Sequence, residues 1–439
     1  MQTIGLARDR MSELYEVEDL ASALHDARRR TLAIYAHLDL AQLRVPYLGI
    51  INPPMWELSH IAWFQEFWCL RHAADDPSGT RTAPLLKGAD ALFDSRSVPH
   101  NTRWELPYPS NEALFHYMER TLERTLEALD EASGERRYFF ELALLHEDMH
   151  GEALLMTLQT LGLPAPGFAS VDPPPSRPER PREVLFEGGE FLQGTLPETS
   201  EFVFDNEKWA HMASVRPFTL SIDPVTQGEF VAFAEEGGYR RPDLWSAEGW
   251  QWREREGLAA PRYWQRENGA WQARRFDRRV PVDPAAPMVH ASLHEALAFC
   301  RWAERRLPTE AEWEFAARNG GREDRFPWGN NAPEGSEGLD ARYLAPSNAF
   351  GDPAPSRTGL RQLIGGVWEW TSSPFLPYPG FAADPYKEYS EPWFKTHFVL
   401  RGGSFATRSR LVHNRFRNFY LPERGDIFAG FRTCALEPR

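Results

Sequence analysis

The chain has 439 residues, of which 42% are hydrophobic and 26% are charged, and its formal net charge is −14. This composition is typical of a water-soluble globular protein, and the length suffices for two or three domains, each with its own core. The acidic balance and the lack of a Lys/Arg run argue against a nucleic-acid or anionic-membrane surface, and nothing indicates an obligate protein partner.

The cysteines and the N-terminal residues indicate in which cellular compartment the protein is expected. The chain has three cysteines, which is an odd number: Cys69, Cys300 and Cys434. They lie far apart in the sequence and show no CxxC spacing. Neither a disulfide framework nor a zinc knuckle is therefore predicted. Residues 1–10 lack the apolar core of a signal peptide, and no apolar run reaches the roughly 18 residues that a membrane helix needs. We expect a cytoplasmic protein.

Residues 1–163 are predicted to form a helical domain. Helix-forming composition occurs at 20–38, at 55–72, from Asn111 onward and at 139–161. The third segment follows Ser110, a candidate N-cap. It carries one apolar stripe at helical spacing, made of Leu114, Met118, Leu122, Leu126 and Leu129. Four helices pack most simply as a bundle. The connection 75–109 is long for a bundle, and long structured loops often serve a site.

Two histidines on the predicted helix at 139–161 indicate a metal-binding site. His146 and His150 lie one turn apart, so both imidazoles can reach a common point. Such a pair also occurs on solvated helix faces, and a metal site needs a third ligand. His60 is the best candidate, because facing helices of a bundle can place it opposite the pair. Glu152 lies roughly 200° around the helix from His150. We therefore expect it to contact the metal ligands without binding the metal, or to form a salt bridge.

A change of composition separates the two halves of the chain. Residues 164–181 contain seven prolines, which predicts a semi-extended linker over 164–183. Beyond it, residues 184–439 show short apolar runs broken by Gly, Pro, Asn and Asp. Helices are predicted at 226–236, 293–305 and 309–318, and residues 184–194 are predicted to form a hairpin with a Gly-Gly turn. The second domain is predicted to be α+β with much coil.

Several segments of the second domain resemble the formylglycine-generating-enzyme fold, which is C-type-lectin-like. These segments read FDNE at 204–207, PVT at 224–226, GGY at 237–239, RLPTEAEWE at 306–314, GVWEWT at 366–371 and LRGGS at 400–404. The cysteine pair that performs copper-dependent chemistry in that enzyme has no counterpart here. Single Trp and Gly positions of this kind mostly stabilise an irregular fold, so this domain alone does not identify the reaction.

The two domains together are more specific. A DinB-like four-helix bundle with His…HxxxHxE, followed by a formylglycine-generating-enzyme-like domain, resembles the EgtB-type non-haem iron sulfoxide synthases of ergothioneine biosynthesis and their relative, selenoneine synthase. The resemblance covers about residues 20–436. It implies Fe(II) held by His60, His146 and His150, with dioxygen as co-substrate. The family joins a chalcogen atom to imidazole C2 of hercynine, which is trimethylhistidine.

The residues suit that chemistry. Three neutral imidazoles leave the metal at charge +2, with open positions for dioxygen and a thiolate or selenolate. A positioned proton donor favours coupling to the imidazole over simple oxidation of the chalcogen donor. By resemblance to the family's active-site tyrosine, the candidate is Tyr378 in the segment PYPGF. The alternative is a packing tyrosine in a proline-rich loop.

A second segment corresponds to the hercynine contacts of the family. Residues 415–420 read RFRNFY, and the resemblance implies Asn418 for the carboxylate, with Phe419 and Tyr420 near the trimethylammonium. The alternative for the two aromatic residues is core packing. One departure concerns Met149, which stands where the family often has a Gln that contacts the hercynine imidazole. Another is RGDIFAG at 424–430, where ergothioneine-type members tend to have Arg-Trp-x-Phe-x-Gly.

The chalcogen donor is less defined than hercynine. A γ-glutamylcysteine carries two carboxylates and an ammonium, so its pocket should present paired arginines. The loop 93–104 offers only Arg96 and Arg103, and Asp426 replaces a bulky position near the expected donor site. A selenosugar presents hydroxyls, which suit Asn, Asp, Ser and aromatic faces. We therefore predict a selenoneine-synthase-like enzyme, with a sulfoxide synthase using cysteine or γ-glutamylcysteine as the alternative.

Two other classes remain open from the sequence. A DinB-type metal-dependent thiol transferase or hydrolase would keep the three histidines but use no oxygen. A non-catalytic carbohydrate- or partner-binding protein built on the second domain would need no metal. Anaerobic assay separates the first class from an oxygenase, and elemental analysis with histidine variants separates the second.

Overall fold

A computed structural model describes residues 17–39, 42–73, 80, 82–132, 134–177, 182–199, 201–332, 338–349 and 356–437. The chain forms two compact units, Met1–Leu161 with Ser200–Phe202, and Gly162–Thr199 with Val203–Arg439. Three stretches that entered the sequence analysis lie outside the described residues: 1–10, most of 75–81 in the long loop, and 178–181 in the proline-rich segment. Within the described ranges, no helix combines the length and the apolar character needed to span a membrane.

The first unit is the predicted helical bundle. Its helices are α1 (Val17–Tyr35), α2 (Pro54–Gln65), α3 (Ala89–Phe93), α4 (Asn111–Leu129) and α5 (Arg137–Leu161). A π-helical segment, Glu66–Arg71, continues α2. Helix α1 packs against α5, and α2 packs against both α4 and α5. The four long helices lie at the predicted places, with ends shifted by up to three residues from the predicted ones.

Local sequence explains these helices. Ser110 caps α4, because its side chain accepts a hydrogen bond from the backbone N–H of Ala113. Most of the predicted apolar stripe of α4 is buried, and Leu126 packs at the edge of the core. Leucines of α1 and α4 meet Phe140 and Leu144 of α5 in the core of the bundle. The helical period of the apolar residues therefore determines which face of each helix is inside.

Helix α2 is the central element of the first unit. Every residue from Trp56 to Gln65 is buried, although Glu57 and His60 are among them. A helix that is apolar on all sides is usually surrounded by neighbours, and its few polar side chains must then find partners. These two side chains belong to the candidate site described below.

The long loop between α2 and α4 is fastened to α2. The indole N–H of Trp56 donates to the carbonyl oxygen of Leu92 at 2.8 Å, and that of Trp63 donates to Asp90 at 2.7 Å. Arg71 adds two hydrogen bonds to the same Asp90 carboxylate, at 2.7 and 2.8 Å. These bonds hold α3, inside the loop, against the helix that carries His60.

The second unit combines strands and helices, which confirms the predicted α+β class. Its helices are α6 (Gln227–Glu235), α7 (Ala247–Arg255), α8 (Leu293–Trp302) and α9 (Glu310–Ala317). The strands are β1 (Glu183–Phe186), β2 (Gly189–Gln193), β3 (His211–Val215), β4 (Phe218–Ser221), β5 (Trp264–Glu267), β6 (Ala270–Arg275), β7 (Arg278–Pro281), β8 (Arg305–Arg306), β9 (Trp368–Pro374), β10 (Phe398–Arg401), β11 (Asn418–Tyr420), β12 (Ala429–Gly430) and β13 (Cys434–Ala435).

Among the described residues these strands form two four-stranded sheets, ordered β1-β4-β13-β8 and β11-β10-β9-β12, and smaller sheets β2-β3 and β5-β6-β7. The core of the unit lies where apolar residues of β1 to β4 pack against α9, with the aromatic side chains of Phe186, Phe218, Trp313 and Phe315 among its members. The sheet that holds β10 and β11 carries several of the predicted site residues. Burial of large aromatic side chains thus stabilises a unit with short elements and much coil.

Capping explains the three predicted helices of this unit. Helices α6, α8 and α9 each begin with a capping box, formed by the pairs Thr226 and Glu229, Ser292 and Glu295, and Thr309 and Glu312. Helix α7 was not predicted, because its nine residues contain two tryptophans and no leucine. Ser246 caps α7 by accepting from the backbone N–H of Gly249.

The predicted hairpin over 184–194 is wrong. Strand β1 pairs with β4 and β2 pairs with β3, both antiparallel and with the same register offset. The two strands are therefore one long strand, interrupted at Gly188, opposite a second long strand interrupted at Pro217. A Cβ atom on Gly188 would lie 2.3 Å from the carbonyl oxygen of Val215, and Pro217 has no N–H for the ladder. The glycine serves a close approach of two backbones and not a chain reversal.

The described part of the proline-rich segment belongs to the second unit. Ser170 forms a β-bridge with Tyr343, and the backbone N–H of Arg177 donates to Asn348 at 2.7 Å. Ser347 donates to the carbonyl oxygen of Pro174 at 2.7 Å. Prolines favour an extended segment, and the loop around residue 347 satisfies several of its polar groups. Residues 164–177 are thus part of a folded unit, whereas the sequence predicted a linker.

Candidate functional site

Three histidines converge inside the first unit. His60 comes from α2, and His146 and His150 come from α5. One ring nitrogen of each lies within 4.8 Å of the other two. The ring centroids are 5.2 Å apart for His60 and His146, 5.1 Å for His60 and His150, and 4.4 Å for His146 and His150. Over the described ranges, no other three His, Cys, Asp or Glu side chains meet in this way.

Hydrogen bonding fixes which nitrogen of His60 is free. Its Nδ1 lies 2.8 Å from the carbonyl oxygen of Phe93, and a carbonyl can only accept, so Nδ1 carries the proton. The lone pair of the neutral ring is then on Nε2. Trp56 stacks on the same ring, with centroids 4.8 Å apart and planes 7° from parallel. The imidazole is held in one orientation with Nε2 available for a metal.

His150 is oriented by a carboxylate. Its Nδ1 lies 2.7 Å from Oε1 of Glu57, which is 1% exposed. A carboxylate accepts this hydrogen bond, so Nε2 is again the atom left for a ligand role. The ring of His146 lies parallel to Phe64, with centroids 3.5 Å apart. Each imidazole of the group therefore has a neighbour that restricts its rotation.

The electrostatic environment favours the ligating form of two of these rings. Burial lowers the pKa of His60 well below its usual value, the electrostatic effect of the neighbouring His150 lowers it further, and the bond to Phe93 offsets only part of this. Burial also lowers the pKa of His146, and the other two histidines add to the effect. Both rings are neutral near pH 7, which is the state that binds metals. A set of imidazole ligands suits iron, zinc, copper or nickel.

Two groups that orient these rings, Glu57 and the carbonyl of Phe93, were not among the predicted site residues. Glu57 had a detectable signal, since it is an acidic residue three positions before His60 in an otherwise apolar helix. A carboxylate in such a helix needs a partner. The carbonyl of Phe93 had no detectable signal in the sequence, because every residue carries a backbone carbonyl. It lies in the long loop that was expected to serve a site.

The other predicted residues of α5 have different settings. Glu152 is buried, but its carboxylate is not among the converging ligand atoms, as its helical phase suggested. Met149 is half-buried beside His150. The neighbouring Glu147 makes a buried ion pair with Arg28, at 2.9 Å. The roles assigned to Met149 and Glu152 stay predictions.

The two arginines of the long loop have partners in the chain. The guanidinium of Arg103 lies over Trp56, 3.6 Å from the ring centroid, and donates to Asn52 at 2.7 Å. Its Nε–H has no hydrogen-bond partner among the described residues. Burial lowers the pKa of Arg103 to about 10. Arg96 makes an ion pair with Asp94, at 2.9 Å. Of the two, Arg103 is close enough to His60 to act on its pKa.

Tyr378 is buried in the second unit. Its hydroxyl donates to Oε1 of Glu310 at 3.1 Å, and the guanidinium of Arg417 lies 4.1 Å from its ring centroid. Burial, and then the charge of Glu310, raise the pKa of Tyr378 well above its usual value. The hydroxyl therefore keeps its proton at neutral pH. Its predicted role as proton donor stays a prediction.

The predicted substrate residues of the second unit lie on and after β11. Asn418, Phe419 and Tyr420 are half-buried, and β11 pairs with β10. Phe419 stacks on Phe375, with centroids 4.1 Å apart.

Residues after β11 supply the partners of the remaining predicted side chains. Arg424 lies over the ring of Tyr420, 5.1 Å from its centroid, and binds both carboxylate oxygens of the buried Asp426 at 2.7 Å. Asp426 thus has a cation partner within the chain, and the substrate contacts of these residues stay predictions.

Two family models match the chain. Residues 168–436 match the sulfatase-modifying factor enzyme 1-like domain, and residues 23–159 match the DinB superfamily. These ranges correspond closely to the two units of the structure. The first match covers more than half of the chain.

Three curated proteins are similar over nearly the whole length, and all are named hercynine oxygenase. The protein from Mycolicibacterium thermoresistibile is 36% identical over 95% of this chain and 94% of its own length. The protein from Mycolicibacterium smegmatis is 35% identical over 95% of this chain and 98% of its own length. The protein from Mycobacterium tuberculosis is 36% identical, with 95% and 98% covered.

Proposed function

Because the chain belongs to the hercynine oxygenase family, we propose that it forms a carbon–chalcogen bond at imidazole C2 of hercynine in an O2-dependent reaction. Fe(II), held by His60, His146 and His150, is the proposed cofactor. The observation that carries this proposal is the convergence of three oriented imidazoles, in a chain that matches hercynine oxygenases over 95% of its length. When bound, the iron supplies the activation of dioxygen.

The protein's own groups prepare the metal site. The carbonyl of Phe93 and the carboxylate of Glu57 keep the Nδ1 protons in place, so that Nε2 of His60 and of His150 is available. Burial keeps two of the rings neutral. A ligand set that is already oriented loses little conformational entropy when the metal binds.

For hercynine we propose contacts from Asn418, Phe419 and Tyr420. A carboxamide can donate hydrogen bonds to the substrate carboxylate, and aromatic faces attract a trimethylammonium. The half-burial of all three side chains supports the proposal, because such groups keep surface for a ligand. Met149 is the proposed neighbour of the hercynine imidazole, where the family often has a glutamine.

For the donor we propose a selenosugar, which makes the enzyme a selenoneine synthase. Arg96 is paired with Asp94, and Arg424 with Asp426, so these cations are already neutralised within the chain. A γ-glutamylcysteine has two carboxylates to be matched, whereas a selenosugar needs hydrogen bonds to hydroxyls. The alternative is a sulfoxide synthase that takes cysteine or γ-glutamylcysteine, with Arg103 as its carboxylate contact.

A competition assay tests the proposal. Iron-loaded protein is incubated in air with hercynine and equal concentrations of selenosugar and γ-glutamylcysteine, and the products are identified by mass spectrometry. We expect the carbon–selenium product to be the major species. A dominant carbon–sulfur product would overturn the donor assignment alone. No loss of hercynine with selenosugar, γ-glutamylcysteine or cysteine, or equal turnover without oxygen, would overturn the proposed reaction.

The substitution Tyr378→Phe tests the proposed proton donor. We expect oxygen and donor to be consumed still, with the product shifted from coupled hercynine toward oxidised donor, because coupling needs the proton. The ratio of the two products by mass spectrometry measures this. Tyr239→Phe is the matched control, since Tyr239 is also buried in the second unit and its hydroxyl also donates to a buried glutamate, Glu295. An unchanged ratio in Tyr378→Phe would remove Tyr378 from the reaction.

A further inference from the structure

Glu57 differs from two other buried carboxylates of the bundle in the group that it contacts. Glu147 pairs with Arg28 at 2.9 Å, and Glu66 accepts from the hydroxyl of Tyr117 and from the backbone N–H of Leu85. Such partners are typical of acidic groups that stabilise a fold. Glu57 instead lies 2.7 Å from Nδ1 of a histidine in the metal-binding group.

We propose that Glu57 is a positioning residue for the metal, acting through His150. The inference rests on the proposed function, because it requires that His150 binds the metal. A neutral imidazole carries one proton, and the carboxylate keeps that proton on Nδ1, which leaves the lone pair on Nε2. The negative charge beside the ring also makes Nε2 a stronger donor to the metal.

The same carboxylate balances positive charge around the site. Burial lowers the pKa of Arg103, and the charge of Glu57 offsets part of that effect, so the two groups interact. A divalent ion held by three neutral imidazoles adds two further positive charges to a buried region. Glu57 is 1% exposed, so water does little to screen its interaction with these charges.

Two substitutions separate orientation from charge. Glu57→Gln keeps an oxygen that can accept from Nδ1–H, but it removes the negative charge. Glu57→Leu removes both the acceptor and the charge, and it has similar bulk. We expect metal affinity to fall by about 10- to 100-fold in Glu57→Leu, which is the usual effect of losing such a partner, and by a smaller factor in Glu57→Gln.

The experiment uses the full chain and two readouts other than activity. The 15N shifts of the metal-free protein report the tautomer of His150, and anaerobic calorimetry gives the dissociation constants of Fe(II) and Co(II). We expect the Nδ1–H tautomer in the wild type and a mixture of tautomers in Glu57→Leu. Glu147→Gln is the matched control, since it also removes a buried carboxylate one residue from a ligand. It should lose stability but keep the tautomer of His150 and the metal affinity.

The outcomes distinguish this inference from the proposed function. If the wild type binds neither ion, the metal site itself is wrong. If the wild type binds and both Glu57 variants keep the tautomer and the affinity within twofold, the site stands and the role of Glu57 is overturned. Should Glu57→Leu fail to fold, Glu57→Gln decides: affinity equal to the wild type would overturn the role of the charge, and weaker binding supports it.

Discussion

Alanine in place of His60, His146 or His150 is expected to lower iron affinity by more than about 100-fold. This effect is larger than the factor of about 10- to 100-fold that is usual when a residue that only hydrogen-bonds to a metal ligand is lost. Each change removes one of three nitrogens that converge within 4.8 Å, and two imidazoles alone rarely hold Fe(II). Hercynine-dependent oxygen consumption should fall with the bound iron. Iron content after desalting and the oxygen-electrode rate measure the two effects.

The fold should survive these substitutions. His146 and His150 lie in the middle of α5, where alanine has a higher helix propensity than histidine. Circular dichroism and thermal unfolding of the metal-free variants test this. Glu152→Gln is the control, because Glu152 lies on the same helix but outside the converging group. Full iron retention in two of the three alanine variants would contradict the assignment.

Helices and the histidine group could be predicted because their signals are local. The stripe from Leu114 to Leu129 repeats at the helical period, and Ser110 precedes its helix as a cap. His146 and His150 share a face through their spacing alone. No local sequence pattern connects His60 to this pair, and its place in the group follows only from the tendency of bundle helices to face one another.

Other features could not be predicted because one residue type serves several geometries. Gly188 suits a hairpin turn and also the close approach of two backbones that the structure contains. Only the pairing of β1 with β4 and of β2 with β3 separates the two, and strand pairing is non-local. The carbonyl of Phe93 is a group that every residue carries, so its bond to His60 depends on where the loop lies. The pair of Arg424 and Asp426 lies in coil, where no periodicity marks it.

Buried charges in the second unit lead to a second large expected effect. Glu310 and Glu314 lie one turn apart on α9, and Arg401 of β10 reaches both. The guanidinium of Arg401 is fully buried and donates to Glu314 at 2.5 Å, to Glu310 at 3.2 Å and to the carbonyl oxygen of Asn414 at 2.9 Å. Arg318 is the second cation partner of Glu314. This cluster joins α9 to the sheet that contains β10 and β11.

The substitution Arg401→Met should lower the free energy of unfolding of the second unit by about 3–5 kcal/mol. Removing one partner of a buried ion pair leaves the other charge without enough compensation, and that cost exceeds the value of the pair itself. Methionine replaces the aliphatic part of the side chain, so little of the loss comes from a cavity. Urea unfolding at pH 7, followed by tryptophan fluorescence, measures the change.

The pH dependence identifies the charge as the cause. Burial raises the pKa of Glu314, but Arg401, Arg318, the backbone N–H of Gly194 and Arg415 together lower it more, so the net pKa lies below the usual value of 4.5. In the wild type the stability from Glu314 is present above pH 4.5 and is lost as the pH falls through the lower folded-state pKa. Without Arg401, burial dominates and the pKa of Glu314 rises. Protonation of Glu314 then removes its insufficiently compensated buried charge. The difference in the free energy of unfolding between Arg401→Met and the wild type should therefore shrink from pH 7 to pH 4.

Arg241→Met is the matched control, because Arg241 pairs with Asp243 at 2.7 Å on the surface of the same unit. Both side chains are exposed, so water screens their attraction and the unfolding midpoint should not change. A difference in Arg401→Met that stays constant between pH 7 and pH 4 would indicate lost packing and not lost charge. A loss no larger than that of the control would mean that Glu314 is sufficiently compensated by Arg318 and the backbone N–H of Gly194.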